Sequence, residues 1–426
     1  MVKLSIETMN KKLKILFATH LFYPAVGGVE IHLKHLTEGL VKRGYDVNVV
    51  TSRAYSTEAF FLGDKRRIEK PVEVVDGVHV ERLGFQTFGR RILRFFTRVA
   101  CRIPYPFNHW IRLISLGPRS SKFTSRIIAN NPDIIIGSPL PNMNIYYAAK
   151  AARKTGKPLI IISCYHMDDR CCFFNKIFFD IMRRADLVVP HTPAEGEFLA
   201  RIGKINPSKI IPFPPFPLRE NQLEPPIKDK QILREKYGIK EKYVVLYLGQ
   251  HGFHKKVNLI LKAMPYVWQI VKDSALVIAG GITEYTRVLK SSAAELEHSY
   301  GGKVYFIDNF PASEKDDIFQ ASDVFVSLSE MESFGIVFVE AMNNGLPMIA
   351  SKNSVTRFIV DEGETGILID PKSTTDVAGA ILEILKNEEL RNRFSENARK
   401  KVVELYHPKL LLDRWEEVFT HVTSNR

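Results

Sequence analysis

Two glutamates with seven residues between them, Glu332 and Glu340, bracket the start of an apolar segment. They stand in the run Ser329-Glu-Met-Glu-Ser-Phe-Gly-Ile-Val-Phe-Val-Glu340-Ala-Met-Asn-Asn-Gly345-Leu-Pro347. An apolar strand, Val324–Leu328, comes first, and a short polar loop follows it. The pattern then predicts a helix opening near Phe334, with Glu332 just before it and Glu340 about one and a half turns inside. Gly345 supplies the stop and Pro347 blocks continuation. A helix that begins at the carboxyl edge of a parallel strand presents N–H groups without intrahelical acceptors, here those of Phe334, Gly335 and Ile336. With the positive end of the helix dipole they form a cradle for a diphosphate. Gly335 lets the backbone approach such a group closely. A carboxylate on each side can accept hydrogen bonds from sugar or ribose hydroxyls.

A second glycine-bearing turn, Phe22-Tyr-Pro-Ala-Val-Gly27-Gly28-Val-Glu30, follows the first strand. Gly27 and Gly28 would expose N–H groups at the next helix start, near a leaving phosphate or an acceptor. The Gly-x-Gly-x-x-Gly fingerprint is missing there, which counts against an ordinary dinucleotide dehydrogenase. The glutamate pair, the Phe-Gly step and the Glu-Ala-Met…Gly-Leu-Pro continuation resemble the Glu-x7-Glu motif of retaining glycosyltransferases of the GT-B fold, family 4 (glycosyltransferase group 1). The resemblance extends over nearly the whole chain, with the Gly27-Gly28 loop and Arg43-Gly-Tyr-Asp-Val47 matching the family's opening segments. It implies that His166, in Cys164-Tyr-His-Met-Asp168, faces the transferred sugar. It also assigns Lys255, in Gly249-Gln250-His-Gly-Phe-His-Lys255-Lys256, to the donor diphosphate. The chain departs from the family at three places. Gln250 stands where an arginine is expected and supplies no charge. Lys256 stands where a glycine is expected, and Lys256, His251 or His254 are the groups that could compensate. Arg357 stands where an acidic residue is usual.

These residues need elements to hold them. Short apolar runs alternate with amphipathic segments: strands at Lys14–Thr19, Asp46–Thr51, Asp133–Ile136, Pro158–Cys164 and Asp186–Pro190, and a helix over Val29–Lys42. That rhythm is the one of parallel βαβ units covered on both faces. Six prolines between Pro212 and Pro226 break it. It restarts with strands at Tyr243–Leu248, Ala275–Ala279, Val304–Ile307, Asp323–Leu328 and Pro347–Ala350. Helices are expected at Val257–Val271, Glu284–Ser299, Ser313–Gln320, Ile336–Asn344 and Thr375–Lys386. The expected fold is α/β: two doubly wound, Rossmann-like parallel-sheet domains facing across a cleft. Residues 1–216 form a basic acceptor-binding domain and 217–407 a nucleotide-sugar-binding domain. The tail, 408–426, forms a helix assigned to pack back on the first domain.

The 426 residues include 45% hydrophobic and 25% charged residues, which excludes a largely disordered chain. No apolar run approaches the ~20 residues of a spanning helix, and no secretory signal is read at the N-terminus. The cysteines, Cys101, Cys164, Cys171 and Cys172, suit neither a disulfide framework nor a zinc site, so a reducing, cytoplasmic setting is expected. The net charge is +13, and it is lopsided. Residues 1–210 carry 33 basic and 17 acidic side chains, while 211–426 carry 27 and 30. Between Glu81 and Asp133 there are ten basic residues and no acidic one. Arg91, Arg94, Arg98 and Arg102 recur at helical spacing opposite Ile92, Phe96, Val99 and Ile103. That pattern suits an anionic membrane surface, and no nucleic-acid motif accompanies it.

The resemblance therefore implies a retaining, metal-independent enzyme. It moves a sugar from a nucleotide-diphosphate sugar to a glycan, lipid or lipid-linked acceptor, peripherally on the inner face of the cell membrane. Glu332, His166 and Lys255 take the central roles. Glu340, Phe334, Gly335, Ile336, Gly27, Gly28, Gln250 and Lys256 bind the donor, and no cofactor or metal is needed. The competing readings are a non-catalytic scaffold of the same fold and a sugar-phosphate synthase.

Overall fold

The computed structural model describes residues 13–61, 63–87, 109–167, 169, 172–330 and 332–424. The basic stretch from Arg91 to Ile103, with Cys101, and also Asp168 and Cys171, lie outside the described residues. The chain divides into two compact units. The first runs up to Phe216 and takes back the tail from Pro408; the second is Pro217–His407.

The first unit holds a seven-stranded sheet in the order β3-β4-β2-β1-β5-β6-β7. Its strands are β1 (Lys14–Ala18), β2 (Asp46–Ser52), β3 (Val72–Val75), β4 (Val78–Leu83), β5 (Ile134–Gly137), β6 (Leu159–Ile162) and β7 (Leu187–Val189). All pairings are parallel except β3 with β4. The strands β5 and β6 are apolar at every position, and β1 is apolar after Lys14, because both faces are covered. Leu16 and Ala18 of β1 pack with Ile145 and Ala148 on one face. Ile15 and Phe17 pack on the other with Leu33, Leu36 and Leu40 from the helix Gly28–Lys42. The tail helix, Pro408–Ser424, joins that second face through Leu411, Trp415 and Phe419. Trp415 stacks on Phe213 at 5.5 Å, and Arg43 reaches Asp413 (2.7 Å) and Glu416 (2.9 Å).

The second unit is a six-stranded, wholly parallel sheet in the order β10-β9-β8-β11-β12-β13. Its strands are β8 (Tyr243–Leu248), β9 (Ser274–Gly280), β10 (Lys303–Asp308), β11 (Val324–Ser327), β12 (Met348–Ser351) and β13 (Gly366–Ile369). Strand order reverses between β1 and β5 in the first unit and between β8 and β11 in the second. At such a reversal the connections leave in opposite directions, and the carboxyl ends of the strands are left open to a ligand.

Several elements lie beyond those that the periodicity predicts. The β3–β4 hairpin turns on Asp76-Gly77, with φ of +49° and +84°, and the alternating residues around that pair were a legible hairpin signal. The edge strand β13 is only four residues long. The helix Glu388–Leu405 is charged nearly all round and buries little more than a single stripe, Phe394, Ala398 and Val402. The proline-rich stretch starts as an anchored strap and not as a free linker. Ile211 and Phe213 donate to the carbonyls of Val188 and Pro190, and Phe216 donates to His32 Nδ1.

Trp415 is 1% exposed at the junction of tail and sheet. Trp415→Ala should cost the first unit about 3–5 kcal/mol, read as a lowered urea midpoint. A midpoint unchanged within error would mean the tail helix adds nothing to that core.

Candidate functional site

The loops that follow β8 and β11 meet at the switch point of the second sheet. Lys255 Nζ lies 2.5 Å from Glu332 Oε1, and Lys256 Nζ is paired with Glu330. Both pairs join the turn after β8 to the loop after β11, and adjacent parallel strands are what bring those two loops side by side. The loop after β11 is held from its other flank. Ser351 Oγ, at the end of β12, and Asn353 Nδ2, just beyond it, both donate to the carbonyl of Ser329, at 2.5 and 3.3 Å.

The helix after this loop spans Ile336–Asn343, so it opens two residues later than Phe334. Gly335 is its N-cap, with φ +88° and ψ 64°. A Cβ there would meet Phe338 Cδ2 at 2.8 Å, so the position needs glycine for both its conformation and its space. The first-turn amides are therefore those of Ile336 and Val337. Phe334 turns inward, 2% exposed, with its ring 5.9 Å from Tyr406. Glu340 is buried on the same helix and accepts from Lys315 Nζ at 2.7 Å. Lys315 opens the short helix Lys315–Gln320. The structure thus brings Glu332 and Lys255 together and gives Glu340 a different cation, one that no sequence motif indicated.

The groups read as compensating for Gln250 do not do so in the same way. Gln250 is exposed, and its carbonyl accepts from the Tyr247 hydroxyl at 2.8 Å. His251 is fully buried, with Nδ1 3.1 Å from Thr286 Oγ1, and burial lowers its pKa. Burial and the neighbouring Lys255 lower that of His254. Both are neutral at pH 7 and add no positive charge. Lys256 remains a cation, but one held by Glu330. Its backbone is left-handed, φ +53° and ψ 31°, which accounts for glycine as the expected residue. Arg357 is exposed on the short helix Thr356–Ile359 that follows β12.

In the first unit, Gly27 caps the helix Gly28–Lys42 with extended backbone. A Cβ on Gly27 would lie 2.3 Å from Glu30 Oε2. The chain's own carboxylate therefore already sits over this helix start, and Gly27 and Gly28 do not form an open anion cradle. Glu30 is 8% exposed, and burial raises its pKa. His20 Nε2 lies 3.9 Å from Glu30 Oε1, and burial drops His20 to about 3. His166 stands half-buried beyond the end of β6, with its ring 5.0 Å from that of Phe173. Behind it, the buried Glu195 accepts from Ser163 Oγ, from Tyr165 N–H and from His191 N–H. Burial pushes Glu195 up to about 7 against the pull of those donors. Thr192 and Glu195 had the spacing of a helix-capping pair, but nothing in the sequence showed that the carboxylate turns inward.

Among the described residues, no group of three or more His, Cys, Asp or Glu side chains is placed to hold a metal ion. None of the helices described there is long and apolar enough to cross a membrane.

The family model for glycosyl transferases group 1 matches residues 229–401, and that for glycosyltransferase family 4 matches 26–216. This chain belongs to the group 1 glycosyltransferases. An N-acetyl-alpha-D-glucosaminyl L-malate synthase from Bacillus anthracis is 29% identical over 199 residues, 46% of this chain and 50% of that protein. A phosphatidyl-myo-inositol mannosyltransferase from Mycobacterium leprae is 33% identical over 153 residues, 35% of this chain and 39% of that one. The chain spans about half the length of these two curated relatives, or less. The crystal structure of HepE from Anabaena, in complex with UDP and glucose, superposes with a TM-score of 0.71 at 16% identity. It covers 96% of this chain and 99% of that one, and it shows the shared GT-B fold.

Two stability measurements probe this chain without a ligand. Lys256 pays for left-handed backbone with roughly 1 kcal/mol and places a cation at a helix start, while its partly exposed ion pair returns less than about 1 kcal/mol. Lys256→Gly should therefore leave the melting temperature unchanged or raise it by about 2–4 °C; a drop would show that the ion pair outweighs the backbone. His191 is buried and lowered from 6.5 to about 4, so the unfolded chain takes up its proton first as pH falls. Its contribution is complete above pH 6.5 and is lost as pH falls toward 4, on the order of 3 kcal/mol. The stability gap between wild type and His191→Gln should accordingly shrink from pH 7 to pH 4 in urea titrations. A constant gap would contradict the burial argument.

Proposed function

We propose that this chain transfers a sugar from a nucleotide-diphosphate sugar to an acceptor, with retention of anomeric configuration and without a metal or other cofactor. The observation that carries the reading is the convergence of Lys255, Glu332 and the first turn of the helix Ile336–Asn343 at the β8/β11 switch point. A leaving diphosphate needs positive charge and fixed N–H donors where its own charge develops. Lys255 Nζ supplies the first, and the amides of Ile336 and Val337, with the helix dipole, supply the second. Gln250 donates a neutral hydrogen bond. Glu332 exchanges Lys255 for sugar hydroxyls, Glu340 accepts from the ribose, and His166 donates to or accepts from the sugar. In a front-face displacement the leaving phosphate oxygen takes the acceptor proton, which leaves no step for a dedicated protein base.

The acceptor is proposed to be a lipid or lipid-linked glycan at an anionic membrane surface. Support comes from the +16 net charge of residues 1–210 and from a relative whose name specifies a phosphatidylinositol acceptor. A second reading, a nucleotide-sugar-binding protein without turnover, is favoured by Gln250 and by the carboxylate that holds each donor-site lysine.

A thermal-shift panel of UDP, GDP and ADP and their sugars identifies the donor, since a ligand of the folded state raises its stability. Lys255→Ala should weaken binding of that nucleotide at least tenfold and reduce kcat/KM by about 10²–10³. Glu332→Gln should spare nucleotide binding and lower turnover. Unchanged binding and turnover in both variants would refute the assignment, and binding without any turnover would establish the second reading. Flotation should show salt-sensitive binding to anionic liposomes; equal binding to neutral ones would remove the electrostatic dock.

A further inference from the structure

Glu195 is 1% exposed, and its carboxylate has no cationic side chain among its hydrogen-bond donors. Its Oε1 takes the Ser163 hydroxyl at 2.5 Å and the Tyr165 amide at 2.9 Å. Its Oε2 takes the His191 amide at 2.8 Å. One buried group thus ties the carboxyl end of β6 to the carboxyl end of β7. Ser163 and Tyr165 flank Cys164, whose φ of +46° is left-handed and unfavourable for a side-chain-bearing residue. Cys164 Sγ is in turn 3.1 Å from His191 Nε2, and His191 Nδ1 is 3.1 Å from the Phe213 carbonyl. The Tyr165 ring is packed among Phe173, Phe179 and Phe198. The next residue along is His166.

A charge buried without a counter-ion is costly unless several donors meet it. Filling that space or capping the helix Pro193–Arg201 requires no charge. In its ionised form the carboxyl does what an amide cannot: it accepts from three donors while offering none back. Those three bonds hold the left-handed turn at Cys164 and so set the direction in which the chain leaves β6. We propose that Glu195 is the positioning residue for His166, fixing its ring for the donor sugar through Ser163 and Tyr165. The catalytic half of this statement rests on the reading of His166 as a sugar contact; the positioning half does not.

The experiment separates the two. Glu195→Gln, His166→Ala, the double variant and the milder Ser163→Ala are compared in protein carrying labelled histidine. The His166 ring resonance, assigned by its loss in His166→Ala, should shift or broaden in Glu195→Gln, while that of His298 stays in place. With the nucleotide chosen by the thermal-shift panel, Glu195→Gln should lower kcat about 10–100-fold and leave binding of the nucleoside diphosphate alone within about twofold. The double variant should be no worse than His166→Ala. An unmoved His166 resonance, or losses that multiply in the double variant, overturns the proposal. If Glu195→Gln fails to fold, Ser163→Ala decides: a shifted His166 resonance supports the proposal and an unshifted one overturns it. Full turnover in His166→Ala, with the resonance still moved by Glu195→Gln, keeps the positioning and removes the sugar contact.

Discussion

The proposed donor site depends on one ion pair, Lys255 with Glu332, at the point where the strand order of the second sheet reverses. The two residues are separated by most of that sheet in sequence and are brought together only because β8 and β11 are neighbours. The pair and its companion, Lys256 with Glu330, leave this region with two positive and two negative charges. Binding of a diphosphate there, as proposed, would therefore exchange one anion for another. The incoming phosphate must compete with carboxylates already in place, and Gln250 adds no charge to help it. What favours the ligand is the set of donors that the carboxylates do not use, the first-turn amides of the helix Ile336–Asn343.

That helix start is held from several sides. Gly335 takes a conformation open chiefly to glycine, Phe334 is sunk against Tyr406, and Ser329 is tethered to the loop after β12. The backbone that would meet a phosphate is thus fixed before any ligand arrives, so little ordering cost falls on binding. Side chains are free to change partners, while the amides are not.

The first unit solves a different problem. Its switch-point region holds buried polar groups, Glu30, His20, Glu195 and His191, among apolar strands. Burial lowers the histidines toward the neutral form and raises the carboxylic acids. Each is tolerated where hydrogen bonds meet it, and Glu195 is met by three. His191 anchors the strap at Phe213, His32 anchors it at Phe216, and Glu195 holds the turn that leads to His166.

Amphipathic and apolar periodicity was enough to read the alternating α/β order, most strands to within a residue or two, the pause at Pro212 and the helix of the tail. These follow from local rules, because a buried parallel strand is mostly apolar and a helix must carry a stripe. The Glu332/Glu340 spacing and the Phe-Gly step were legible for the same reason: a helix start after a strand has a short-range signature. Partners were not legible. That Glu332 meets Lys255, that Glu340 meets Lys315, that Glu30 covers its own helix start and that Glu195 turns inward depend on strand order and burial. Those quantities exist only once distant segments are packed together. Side-chain charge is written in the sequence, but the group that answers it is chosen by the tertiary fold.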